Sequence, residues 1–111
     1  MEFEELLKLM VQKGGSDLFI TAGVPPSMKI NGKILPVTKS ALTPDMTRIY
    51  VIGVMTEQQR KEFVANHECN FAISARGIGR FRVSAFFQRN LCGMVLRRIE
   101  VKIPQIDDLA L

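Results

Sequence analysis

From Gly79 to Ile99 the chain reads GRFRVSAFFQRNLCGMVLRRI, two alternating runs separated by Arg89-Asn90. Alternation with a period of two sends successive side chains to opposite faces of a strand, so this stretch predicts a β-hairpin with strands Arg80–Gln88 and Leu91–Ile99. A two-residue or four-residue loop centred on Arg89-Asn90 places Arg82 opposite Arg97, Ser84 opposite Val95 and Phe86 opposite Gly93. The other face then pairs Phe81 with Arg98, Val83 with Leu96, Ala85 with Met94 and Phe87 with Cys92. That face is apolar except at its open end, which predicts a surface packed beneath helices. A three-residue loop would break this pairing, so the register rests on the turn.

The arginine face is the unusual one. Like charges directly opposite one another destabilise a strand pair by about 0.2–1 kcal/mol. Each guanidinium presents a fork of donors suited to phosphate or carboxylate oxygens. Two forks on one face, with Arg80 as a third charge beside them, predict an anion between or above them. The competing expectation is that each arginine pairs with a surface acid or extends into water. Charge distribution bears on the choice. The chain has 111 residues and a net charge of +4. Lysine and arginine balance aspartate and glutamate over residues 1–75, so the whole excess lies in residues 76–111.

The remainder reads as a small α+β domain. Phe3, Leu6, Leu7 and Met10 form a helical stripe, with Glu2, Glu4 and Glu5 in the first turn, where they complement the helix dipole. Gly14-Gly15 ends that helix. Ser16–Ala22 alternates as a strand, with Leu18, Ile20 and Ala22 on one side and Asp17, Phe19 and Thr21 on the other. Gly23 and Pro25-Pro26 break it. Asn31-Gly32 is a strong hairpin signal, and Pro36 ends the returning strand or marks it as an edge. Thr43-Pro44-Asp45 starts a helix whose inward face is expected at Met46, Ile49 and Tyr50. Thr56 and Gln59 form a capping box that opens a second helix with Phe63 facing inward. Cys69, Phe71 and Ile73 alternate in a further strand. Residues 103–106 read as an extended linker, and Asp107-Asp108-Leu109 as a helix start.

Several chemistries are disfavoured by the same residues. Cys69 and Cys92 form no disulfide framework and lack metal-ligand spacing, and His67 is the one histidine, so a reduced cytosolic setting is expected. No apolar run approaches the ~20 residues that span a bilayer. The first ten residues are acidic and helix-patterned, unlike a signal peptide. No G-x-x-x-x-G-K-[ST] occurs, so the chain has no phosphate loop of that type. His67 has no partner nucleophile in the sequence pattern and reads as a helix-end residue.

GGSDLFITAGVPPSMKINGKI and ECNFAISARGIGRFRVSAFFQRN resemble the N-terminal domain of PilT/PilU-type retraction ATPases of type IV pili, members of the secretion ATPase superfamily. The resemblance runs from Met1 through IPQIDDLAL. Phe19 and Asn70 stand where PilT-type proteins usually carry histidine and aspartate, departures that lean toward PilU. The resemblance implies a PAS-like α+β domain over residues 1–102, with order α-β-β-β-α-α-β-β-β, about six strands and about three helices. Residues 103–111 would be the linker and the start of a C-terminal RecA-like ATPase domain.

The implied parent is a cytoplasmic hexamer, peripheral to the inner membrane at the pilus base, that couples ATP hydrolysis to retraction and twitching motility. Implied partners are the ATPase domain in cis and of a neighbouring subunit, a PilT-type ATPase and the inner-membrane pilus platform protein. Nucleic acid and direct membrane insertion are not implied. In this superfamily, arginines of the N-terminal domain reach nucleotide on the ATPase domain, and their spacing on adjacent strands matches Arg82 and Arg97. Arg80 and Arg98 are the further candidates. ATP with Mg is expected in the parent, whereas this chain alone is expected to be neither an enzyme nor an ATP binder. The alternatives are a free-standing PAS-like ligand sensor or protein-interaction module. A nucleic-acid binder is disfavoured, because Phe86 is the one aromatic on the hairpin's arginine face and stacking needs more.

Overall fold

The computed structural model describes residues 2–99. The elements run α1 (Phe3–Gln12), β1 (Asp17–Ile20), β2 (Ser27–Ile30), β3 (Lys33–Pro36), α2 (Pro44–Gly53), α3 (Glu57–Asn66), β4 (Glu68–Ala75), β5 (Gly79–Gln88) and β6 (Leu91–Ile99). This is the expected α-β-β-β-α-α-β-β-β order. The expected domain boundary at residue 102, the linker and the helix start at Asp107 lie outside the described residues.

The six strands form one sheet in the order β3-β2-β1-β6-β5-β4, with every neighbouring pair antiparallel. Two of its turns are local decisions. Asn31 and Gly32 have φ of 51° and 80°, and Arg89 and Asn90 have φ of 52° and 63°. Positive φ at both central residues is the two-residue hairpin geometry whose twist matches that of the flanking strands. The tight turn at Arg89-Asn90 pairs Gln88 with Leu91 and holds Arg82 opposite Arg97, as the alternation predicts.

One sheet face is covered by the helices. Leu18, Ile20, Met28, Phe81, Val83, Ala85, Met94 and Leu96 are buried there against Leu6, Leu7 and Met10 of α1 and Val51 of α2. Burying each such large side chain is worth roughly 1.5–3 kcal/mol. The alternation of β5 and β6 therefore sets one face of the hairpin against the core. The strand at Ser16–Ala22 proves shorter than its alternation suggests, ending at Ile20.

α2 departs from the expected packing. Thr47 and Val51 are its buried residues, while Met46 and Ile49 are exposed, Ile49 by 65%. Tyr50 is half-buried, its ring centroid 5.7 Å from that of Phe3. The helix packs over β6 through its Thr47–Val51 stripe. A buried threonine is tolerated because its hydroxyl donates to the carbonyl of Pro44 at 3.0 Å. Apolar spacing cannot distinguish two adjacent stripes when one of them satisfies its polar group internally.

α3 buries only Phe63. Its start is fixed by the Thr56–Gln59 capping box, and its end by His67 at φ 63°. His67 is thus a helix-end residue, its ring centroid 5.5 Å from that of Phe87. No described helix is long and apolar enough to cross a membrane.

Candidate functional site

The uncovered face of the sheet carries Arg80, Arg82 and Arg97. Pairing along the ladders aligns Ala72 of β4, Arg82 of β5, Arg97 of β6, Asp17 of β1 and Lys29 of β2 in one row across the strands. Arg80 lies on the same face, paired with Ser74 and Ile99. Arg98 is opposite Phe81 at the open end of the hairpin, and all four arginines are exposed.

The structure separates them. Arg97 Nε donates to Asp17 Oδ2 at 3.4 Å, and Ser16 Oγ donates to Asp17 Oδ1 at 2.7 Å. Arg82 has no such partner among the described residues. Its direct neighbours are Ala72 and Arg97, and its diagonal neighbours Asn70, Ser74, Val95 and Ile99 include no acid. The competing expectation, an acid partner or extension into water, therefore describes both arginines: Arg97 pairs with Asp17, and Arg82 is exposed with no acid partner among the described residues.

Beside the pair, Gly14, Gly15, Ser16, Asp17, Arg97 and Arg98 line an open cleft of about 470 Å³. The backbone closes one side of it, with the Arg98 N–H donating to the Ser16 carbonyl at 3.1 Å. Arg97 and Arg98 thus meet at the cleft, while Arg82 and Arg80 stand outside its lining on β5. Arg80, Arg82 and Arg97 form a cationic face rather than an enclosed pocket, with Arg98 at the sheet's end on the other face. Such a face can engage an anion from one side and leaves the rest of that anion's shell to be supplied elsewhere. Among the described residues no group of three or more His, Cys, Asp or Glu could hold a metal ion.

Sequence reasoning missed Asp17, Ser16, Lys29 and Phe19 as parts of this face. The signal was present in part, because an aspartate inside a short apolar strand is unusual for that backbone. Phe19, half-buried and paired with Val95, joins Phe86 as a second aromatic on the open face.

Along its length the chain is similar to known proteins. The PilU ATPase of Pseudomonas aeruginosa type IV pili is 74% identical over 111 residues, all of this chain and 29% of that protein. This chain matches the N-terminal domain of the PilT/PilU-type ATPases. The PilT retraction ATPase of the same organism is 32% identical over 111 residues, again all of this chain and 32% of that protein. The higher identity is to PilU, the branch toward which Phe19 and Asn70 lean. A crystal structure of the retraction motor PilT with bound ADP superposes with a TM-score of 0.86 at 33% identity, covering 97% of this chain and 32% of that one. No family model matches the chain. The chain spans about a third of the length of these PilT/PilU-type relatives.

Proposed function

We propose that this chain is the nucleotide-responsive domain of a type IV pilus retraction motor, offering Arg82 and Arg97 to the phosphates of ATP held on a C-terminal ATPase domain. The observation that carries the reading is the direct opposition of Arg82 and Arg97 on an uncovered sheet face. Two opposed guanidinium groups cost stability, and an anion arriving at that face offsets the cost. Among the described residues Arg82 has no acid partner and Arg97 is engaged only at Nε, so the donor set suits phosphate oxygens. Arg80 and Arg98 flank the pair as secondary contacts. Bound ATP with its Mg would supply the scissile phosphate and the phosphate-bound metal. The metal's ligands are assigned to the phosphates and to the ATPase domain.

Arginines in this role stabilise charge on the terminal phosphate and report the nucleotide state to domain motion. The parent is then a homohexamer working at the inner-membrane base of the pilus, beside a PilT-type ATPase and the platform protein, in retraction and twitching motility. The exposed arginine face is the surface turned toward the ATPase domain in cis or of the neighbouring subunit.

The test is ATPase turnover in the protein that joins this chain to its ATPase domain. Arginine fingers are worth on the order of 10³ in kcat, so Arg82→Ala and Arg97→Ala each lower turnover far more than they lower the unfolding temperature. Turnover equal to wild type would make them surface residues. The chain alone should bind ATP negligibly, and tight stoichiometric binding by it would overturn the shared site.

A second reading has one observation in its favour. Ile52, Phe63, Val64, Phe87 and Cys92 line an apolar pocket of about 270 Å³ with Arg48 and His67. A free-standing small-ligand sensor would use such a cavity. Saturable binding of an apolar ligand that displaces no nucleotide would support it.

A further inference from the structure

We propose that Asp17 is the positioning residue of Arg97, and that it makes the two opposed arginines unequal, Arg97 held and Arg82 without an acid partner among the described residues. The inference deepens the proposed function and rests on its reading of Arg82 and Arg97 as phosphate-facing groups.

Burial is the first ground. The Asp17 side chain is 11% exposed and that of Arg97 73%. A carboxylate withdrawn from water needs donors on its oxygens. Each oxygen has one here: Ser16 Oγ on Oδ1 at 2.7 Å and Arg97 Nε on Oδ2 at 3.4 Å. The acid is thus fixed by the sheet and by Ser16, while the cation it holds projects into solvent. The exposed pair Arg48–Asp45 is different, with side chains 63% and 80% exposed and neither partner anchored in the core.

The choice of atom is the second ground. Asp17 engages Nε, the nitrogen nearest the stem, and no described residue bonds the two terminal nitrogens. A bidentate grip would consume a terminal N–H. Single contact at Nε orients the guanidinium plane and leaves its outer edge for an incoming anion. At 3.4 Å the bond is long for a charge-assisted one, so it guides the side chain without neutralising it.

The third ground is the order of charges along the row. Asp17 sits between Lys29 and Arg97, in register with both. Without it, Lys29, Arg97 and Arg82 would line up without an intervening acid. Lys29 forms no ion pair among the described residues, so the acid's ion-pair partner is Arg97. Arg82 has only Ala72 and Arg97 beside it and loses its full rotamer freedom when it engages an anion. Arg97 arrives with its Nε already engaged by Asp17. The held arginine defines where the anion sits, and Arg82 closes on it.

The experiment is a double-mutant cycle in kcat/KM for ATP in the protein that joins this chain to its ATPase domain. Coupled contacts show large non-additivity, so Asp17→Asn is expected to lower kcat/KM about tenfold, with no further loss when added to Arg97→Ala. Added to Arg82→Ala, it should multiply that variant's loss. The same tenfold loss in the Arg97→Ala background, or none in wild type, would overturn the proposal. Ser16→Ala keeps the charge and removes the Oδ1 donor, together with the longer contact of Ser16 Oγ to the Lys29 carbonyl at 3.4 Å. It should produce a smaller loss that also vanishes with Arg97→Ala, which keeps the cycle readable if Asp17→Asn folds poorly.

A second readout is independent of turnover. Hydrogen exchange at the Arg97 Nε–H, followed by NMR, should accelerate in Asp17→Asn while that of Arg82 stays unchanged. Equal exchange at Arg97 in both proteins would remove the tether. If Arg82→Ala and Arg97→Ala both leave turnover at wild type, the proposed function fails, and this exchange measurement still decides the role of Asp17.

Discussion

The ring of Phe86 lies over Gly93, its cross-strand partner. A Cβ on Gly93 would stand 2.6 Å from Cε2 and 2.7 Å from Cζ of that ring, and 3.1 Å from the carbonyl oxygen of Ile20. The glycine thus lets the aromatic ring cover the β6 backbone on the same face as Arg82 and Arg97. Gly93→Ala should destabilise the domain by about 1–3 kcal/mol, the usual cost of overpacking. Urea denaturation checks this. An unchanged midpoint would mean that the ring swings aside freely.

Arg82 should trade stability for function. It faces Arg97 with no acid among its cross-strand neighbours. Arg82→Gln removes a like-charge pair worth about 0.2–1 kcal/mol, so its thermal midpoint should rise at low salt even as turnover in the parent falls. A lower midpoint would show that Arg82 is stabilised by something other than an arriving anion.

α3 depends on very few contacts. Phe63 is its single buried residue, 6.4 Å from Phe87 between ring centroids, and Thr56 caps its start. Thr56→Ala should cost about 1 kcal/mol through loss of the capping bonds, and Phe63→Ala about 3–5 kcal/mol through the cavity it leaves. Comparable small losses at both positions would mean that the helix is held elsewhere.

The two thiols should make stability fall in alkali. Burial pushes the Cys69 thiol up, with the nearby Glu62 charge and a weak contact to it adding to the effect. Burial also pushes Cys92 up, opposed by the charge of Arg48. A raised folded pKa leaves stability intact below the ordinary thiol range and removes it as pH rises through the raised value, because the unfolded chain releases its protons first. Stability should therefore decline across that alkaline window, and Cys69→Ala with Cys92→Ala should flatten the decline. Identical pH profiles would exclude the thiols as the cause.

Much of this fold was legible because it is locally specified. Alternation over Arg80–Gln88 and Leu91–Ile99, with a two-residue turn at Arg89-Asn90, was enough to pair Arg82 with Arg97. Thr43, Thr56 and Asn31-Gly32 marked helix starts and a hairpin through hydrogen bonds and dihedrals spanning a few residues. α2 was misread at Met46 and Ile49, because two adjacent stripes of that helix both carry apolar residues and the supporting sheet selects between them.

The sequence by itself determined the hairpin, its register, its caps and the concentration of positive charge on one of its faces. Only the tertiary structure inserted β1 between β2 and β6, which brought Asp17 to Arg97 and Phe19 onto the open face. The reason is the range of the forces involved. Period and turn chemistry act between neighbours in the chain. The pairing of β1 with β6 joins distant segments whose association is decided by shared core burial and loop closure. That Arg97 meets an acid, and Arg82 none among the described residues, therefore follows from a strand far from both in sequence.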